Sequence, residues 1–155
     1  MDFSEQDLDT LSRTIYGEVR GEFYKFGLAP LIAVANVVFN RKKKKFAKSI
    51  HEVCKAPYQF SCWNKNDPNF FEVNAADKNS LVFRKCWEVA ENILTEKWPD
   101  LTDGCDHYHA RSIKPYWAVY KEPKRIFGTH FFMRLDEIKK LSNIKLKGKN
   151  NERDF

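Results

Sequence analysis

Two glutamates four residues apart, Glu18 and Glu22, stand with Arg20 between them and with Gly17 and Gly21 beside them. Carboxylates carry much of general acid–base chemistry, and one at a helix end beside a glycine bend reaches a cleft that a mid-helix carboxylate on a solvated face does not. To serve as an acid near neutral pH, such a carboxyl must be held protonated, hence partly desolvated among apolar or aromatic groups. Tyr16 is at hand for Glu18. Cleavage of a glycoside with water ordinarily adds a second carboxylate about 5 to 9.5 Å away. Glu22, Asp67, Glu72 and Asp106 are candidates for it. Glu22 has a plain alternative as a structural group, paired with Arg20 or Arg41 or capping a neighbouring helix.

Two later segments carry further chemistry. Gln59-Phe60-Ser61-Cys62-Trp63-Asn64 supplies amides, a hydroxyl and an indole face, the groups that sugar-binding grooves use. Phe60 reads as core, Gln59 as groove-lining. His107 and His109 are two apart, so on a strand they share one face and Tyr108 takes the other, from which it can reach the cleft. With His130 the two histidines form the inventory of a zinc triad. No HExxH-like helix accompanies them, and the expected chemistry needs no metal and no cofactor, so they are expected to hydrogen-bond and pack.

The elements that position these residues are mainly helical. Ser4 and Asp7 form a capping pattern with Phe3 as staple, and Leu8, Leu11, Ile15 and Val19 recur at helical spacing. Glu18 and Glu22 then share one side of the last turn if that helix persists. From Pro30 to Phe39 the chain is apolar all round, which predicts a helix buried mid-domain, with Asn36 and Asn40 needing partners. The Arg41–Lys45 run reads as a solvated turn. A short helix is expected over 49–54, a long functional loop over 56–76, and an amphipathic helix from Leu81 to Leu94. Asp103-Gly104 marks a turn, and 106–118 and 125–133 read as short strands or extended segments. Residues 1–146 are expected to form a single domain and 147–155 a polar tail.

The net charge of +6 favours polyanionic partners without choosing among nucleic acid, anionic membrane and an acidic wall polymer. The acidic start, Met1-Asp2-Phe3-Ser4-Glu5, is unlike a secretory signal, and the apolar stretch Leu28–Phe39 is too short to span a bilayer. Cys54, Cys62, Cys86 and Cys105 have no zinc-ribbon spacing and are expected to be reduced.

Taken in order, Tyr16-Gly17-Glu18-Val19-Arg20-Gly21-Glu22, then Asn40-Arg41, Gln59-Phe60-Ser61-Cys62-Trp63, His107-Tyr108-His109-Ala110 and His130-Phe131-Phe132 resemble the SleB-type cell-wall hydrolases over residues 8–133. That resemblance implies an α+β, mainly helical, lysozyme-like fold with a small irregular β element late in the chain. It also implies a lytic transglycosylase that cleaves the β-1,4 bond between N-acetylmuramic acid and N-acetylglucosamine in peptidoglycan, leaving 1,6-anhydro ends. Glu18 falls on the family's catalytic glutamate. As sole acid/base it would protonate the glycosidic oxygen and then take the proton of the muramoyl C6 hydroxyl. Glu22, Gln59, Ser61, Trp63, Tyr108 and His109 are the expected substrate contacts. The expected setting is a monomeric phage endolysin, made in the cytoplasm, reaching the wall through membrane holes and needing no nucleic acid. Two alternatives stand beside it: a muramidase using water and a second carboxylate, and a non-catalytic basic module binding wall or nucleic acid.

Overall fold

Ser4 opens the first helix, α1 (Glu5–Val19), through a reciprocal cap in which its hydroxyl accepts from the Asp7 N–H and the Asp7 carboxylate accepts from the Ser4 N–H. Such a cap is worth about 1 kcal/mol. The structure, a computed structural model, describes residues 2–119 and 122–135. Leu8, Leu11, Ile15 and Val19 are buried, as their spacing predicts. Buried Ser12 and Thr14 satisfy their hydroxyls on the carbonyls of Leu8 and Thr10, so polar residues enter the core without cost in unpaired groups. α1 is the hub of the domain and packs against every other long helix.

α2 (Phe23–Phe26) is a single turn, and α3 (Ala29–Lys43) is the buried helix expected from Pro30 onward. Its two asparagines have the partners that burial demands. Asn36 accepts the Leu101 N–H at 3.0 Å, and Asn40 donates to Asp100 and to the Cys105 carbonyl, each at 2.9 Å. These bonds tie the 100–106 loop to α3 and thereby fix where the following strand begins. α4 (Ile50–Lys55) and α6 (Leu81–Leu94) also form where expected. The 56–76 region holds more structure than its irregular pattern suggests, with a 3-10 turn at Ser61–Trp63 and a helix, α5 (Phe70–Ala75). Six residues are too few to show a period. This helix is held from outside, by Val73 in the core and by the Arg13 guanidinium on the carbonyls of Val73 and Ala76.

The late β element is a three-stranded antiparallel sheet, β1 (His107–Ala110), β2 (Arg125–Phe127) and β3 (His130–Met133), in the order β1-β3-β2. Tyr108 pairs with Phe132 and Ala110 with His130, which puts Tyr108, Phe132 and His130 on one face. His107 and His109, opposite Met133 and Phe131, take the other. The fold is therefore α+β and mainly helical. All four cysteines are buried free thiols, and burial pushes Cys54, Cys86 and Cys105 up to about 12. Among the described residues no helix is long and apolar enough to cross a membrane. The expected tail, 147–155, lies outside the described residues.

Candidate active site

Glu18 sits in the last turn of α1, and the helix does not persist to Glu22. At Val19 the backbone leaves helical geometry (φ −139°) and continues as a 3-10 turn, Arg20–Glu22. The break sends the two glutamates to different partners. Glu18 meets β1, where the Tyr108 hydroxyl donates to its Oε1. Burial raises its pKa above the ordinary carboxylate value; the Tyr108 hydrogen bond pulls back, the Asp67 charge adds to the rise, and the Arg41 charge opposes it. Tyr108 is pushed well above the usual phenol range by burial and by the Glu18 charge, so it stays a neutral donor.

Close approach of the Ser61–Trp63 turn to α1 depends on Gly17. A Cβ there would lie 2.7 Å from Cys62 Cβ and Sγ and from a Val73 methyl, well inside contact distance. With glycine, the turn seats against the helix one residue before Glu18 and brings the Cys62 thiol close to its carboxyl.

Glu22 reaches the tip of the β2–β3 hairpin. Its Oε1 accepts from the Thr129 N–H at 2.8 Å, its Oε2 from the Thr129 hydroxyl at 3.0 Å, and His130 Nδ1 lies 3.3 Å from Oε1. Gly128, at φ 57°, turns the hairpin there, and any Cβ on it would collide with the Glu22 carboxylate. Neither Arg20 nor Arg41 is its partner. Arg20 goes to Asn69 and Glu72 instead. Glu22 thus spends its lone pairs on the hairpin whose His130 ring packs edge-on to Tyr108 at 5.5 Å, not on open cleft as a substrate contact would.

The remaining expected residues divide. The Gln59 side-chain carbonyl accepts from Arg41 Nη1 at 3.1 Å, while Ser61 is exposed at the start of its turn. Trp63 donates its indole N–H to the Thr14 hydroxyl at 2.9 Å and lies under the Lys55 ammonium. This indole belongs to the body of the domain, because its polar edge is consumed by α1. His109 lies on the sheet face away from Tyr108 and Glu18, packed between Trp117 and Phe131, so it does not join the Glu18 carboxyl. Strand alternation is the reason. The same alternation separates His130 from His107 and His109, so the three cannot converge on one ion. Among the described residues no cluster of three or more histidine, cysteine or acidic side chains is arranged to hold a metal.

Arg41, expected as a possible partner for Glu22, as the start of a solvated run and as half of the Asn40-Arg41 pair in the family resemblance, is central. It is 5% exposed, donates from Nε to the Asp106 carbonyl at 2.7 Å, and sits against the Phe60 and Phe46 rings. Its neighbour Lys44, read as part of a solvated run, is instead a pin. Its ammonium reaches the Gly104 carbonyl and the Asp106 carboxylate, each at 2.8 Å. Burial works against ionisation of Asp106, but His107, Lys44 and the Leu135 N–H outweigh it and hold the group at about 2. Beside Arg41 opens a cavity of about 600 Å³ whose lining mixes the polar Lys44, Gln59, Asp106 and His107 with the apolar Phe46 and Ala56. The signal that could have found Arg41 was the Asn40-Arg41 pair closing an all-apolar helix, where a cation can stay only if something binds it.

Comparison with known proteins places this geometry in a class. The model of the Cell Wall Hydrolase family matches residues 29–133, and the chain belongs to that family. Two solved structures share the fold. One is the catalytic domain of the Bacillus cereus SleB protein, 19% identical, with a TM-score of 0.64 over 86% of this chain and 93% of that one. The other is the catalytic domain of the germination-specific lytic transglycosylase SleB from Bacillus anthracis, 21% identical, with a TM-score of 0.65 over 85% and 97%. No curated protein matches the chain. The family match begins after α1, so what bears on Glu18 is the geometry around it.

Proposed function

We propose that this chain is a peptidoglycan lytic transglycosylase cleaving the β-1,4 bond between N-acetylmuramic acid and N-acetylglucosamine, with Glu18 as its acid/base. The observation that carries this reading is the state of the acidic side chains. Glu18 is enclosed, raised in pKa and hydrogen-bonded by Tyr108. Glu22, Glu72 and Asp106 are each committed to other partners. A carboxyl held protonated can protonate the glycosidic oxygen; its conjugate base, steadied by the Tyr108 hydroxyl and the Arg41 charge, can then accept the C6 hydroxyl proton as that oxygen closes on the anomeric carbon. No water-activating carboxylate is required. Gln59 and Ser61 are the proposed substrate contacts, and Tyr108 orients Glu18.

One observation favours a second reading. Asp67 is the carboxylate whose charge raises the Glu18 pKa, so a muramidase would use Asp67 to activate water. Mass spectrometry of digested sacculi separates the two, because 1,6-anhydro ends are one water lighter than reducing ends. Anhydro products that persist in Asp67→Asn are expected; reducing ends that vanish in that variant would favour the muramidase. The role of a phage endolysin belongs to the same proposal, and the charge of +6 supports it by suiting the protein to an anionic wall. Cytoplasmic expression should then lyse cells only once the membrane is permeabilised.

A further inference from the structure

Arg41 is a buried cation among neutral acceptors. Its Nε–H goes to the Asp106 carbonyl and one Nη1–H to the Gln59 side-chain carbonyl. A guanidinium has five N–H donors, so three remain, one on Nη1 and both on Nη2. Among the described residues no carboxylate forms an ion pair with it. Asp106 gives its carboxylate to Lys44 and His107 and offers Arg41 only its backbone. Glu18 is kept toward its neutral form by burial. A charge at 5% exposure with no ion-paired carboxylate is costly unless something compensates it, and the guanidinium fork matches a carboxylate bidentately. The only fully enclosed side-chain nitrogen or oxygen without a partner among the described residues is His109 Nε2. The spare edge of Arg41 is therefore not sealed in; it opens where Arg41 lines the cavity of about 600 Å³.

That cavity does not include Glu18 or Tyr108 in its walls, but Arg41, which lines it, acts on both through its charge. A ligand filling it would lie beside Arg41, the residue that links the cavity to the Glu18 site. Its volume is in the range that holds a ligand of many atoms, not a lone ion. Arg41, Lys44 and Gln59 supply charge and hydrogen bonds, Lys44 being paired with the lining Asp106 carboxylate, and Phe46, Val53 and Ala56 suit methyl and methylene groups. Muramic acid carries at O3 a lactyl arm bearing a short peptide with free carboxylates, which matches both kinds of lining group. Accepting the proposed glycan substrate, on which this rests, we infer that the cavity is a subsite for the acidic stem peptide of muramic acid, with the Arg41 guanidinium receiving a peptide carboxylate. The enzyme then distinguishes peptide-bearing strands from naked ones.

The full chain should cleave intact sacculi with a kcat/KM about tenfold or more above that for the same strands stripped of peptides by an N-acetylmuramoyl-L-alanine amidase, as one charge-assisted bidentate contact provides. Arg41→Lys keeps the charge and loses the fork. Ala56→Phe narrows the cavity without touching Arg41 or Glu18. In each folded variant the ratio of the two rates should fall toward one, whatever happens to the rates themselves. Calorimetry on Glu18→Gln supplies a readout without turnover: a disaccharide–tripeptide should bind about tenfold tighter than the disaccharide alone. Equal rates on both substrates in the unaltered protein would overturn the subsite and leave the glycan reading standing. A ratio unmoved in both variants would do the same. Binding lost on removal of wall phosphate polymers, and not of peptides, would give the cavity to a phosphate. Failure to cleave either substrate would remove both proposals.

Discussion

The two faces of the late sheet are built from the same kinds of residue and do different work. Toward α1 the sheet turns Tyr108, His130 and Phe132, and of these Tyr108 meets Glu18 and His130 meets Glu22. On the other side His107 and His109 stack against Trp117, and Phe131 packs on His109, around a small second core that includes Ala118 and Met133. Histidine and aromatic residues occur on both. What separates them is whether a carboxylate from another element arrives. The face met by α1 and its following bend holds the candidate acid; the face without one packs on Trp117 and, at His107, lines the cavity beside Arg41. A one-residue slip in register would exchange the two.

The comparison breaks outright if Glu18 is not the acid. Glu18→Gln should lower glycan cleavage about 10²- to 10⁴-fold, the span of a general acid, with an unchanged far-ultraviolet dichroism spectrum. A well-folded variant that still digests sacculi at the normal rate would end the assignment. Next is the latch that presses the active face against α1. Gly128→Ala puts a side chain into the Glu22 carboxylate at a left-handed backbone position, at a cost of about 2 kcal/mol. For a domain of this size that is a fall of roughly 5 °C in melting temperature, with activity reduced alongside. An unchanged Tm would mean that the hairpin tip is not held by Glu22.

The packing face has its own test in acid. Asp106 sits at about 2 in the folded protein against an ordinary aspartate value of about 3.9, so its contribution is full above the unfolded value and is lost as pH falls from about 4 to about 2. That contribution is about 2 kcal/mol, and denaturant titrations across this window should lose it. Asp106→Asn should flatten the slope. The smallest effect is the finest discriminator. The protonated Glu18 is the acid, so activity should fall as pH rises through its elevated pKa. Tyr108→Phe removes the hydrogen bond that lowers that pKa, so the alkaline limb should move to higher pH. His109→Phe, on the other face, should leave the limb in place. Movement of the limb by both variants would erase the distinction between the faces.

Much of this was readable along the chain. The capping box at Ser4, the apolar face of α1, the all-round burial of α3 and the strand alternation around Tyr108 are local patterns with fixed periods, so the sequence carries them directly. α5 escaped because six residues make no period and its support comes from Arg13, some sixty positions away. Lys44 and Arg41 escaped for a related reason. In sequence they open a basic run, and only the arrival of the 100–106 loop at the end of α3 buries one and pins the other.

By itself, then, the sequence determined that Glu18 stands at a helix end, that Tyr108 and His109 face opposite ways, and that Asn36 and Asn40 must find partners within the core. Those follow from residue chemistry and from the periods of helix and strand. The tertiary structure alone decided that Glu18 meets Tyr108 while Glu22 meets Thr129, and that Arg41 keeps three donors beside a cavity. Hydrogen-bond partners and burial are set by segments tens of residues apart in the chain. A carboxylate's pKa and an arginine's unmet charge are properties of those meetings, not of the residues that enter them.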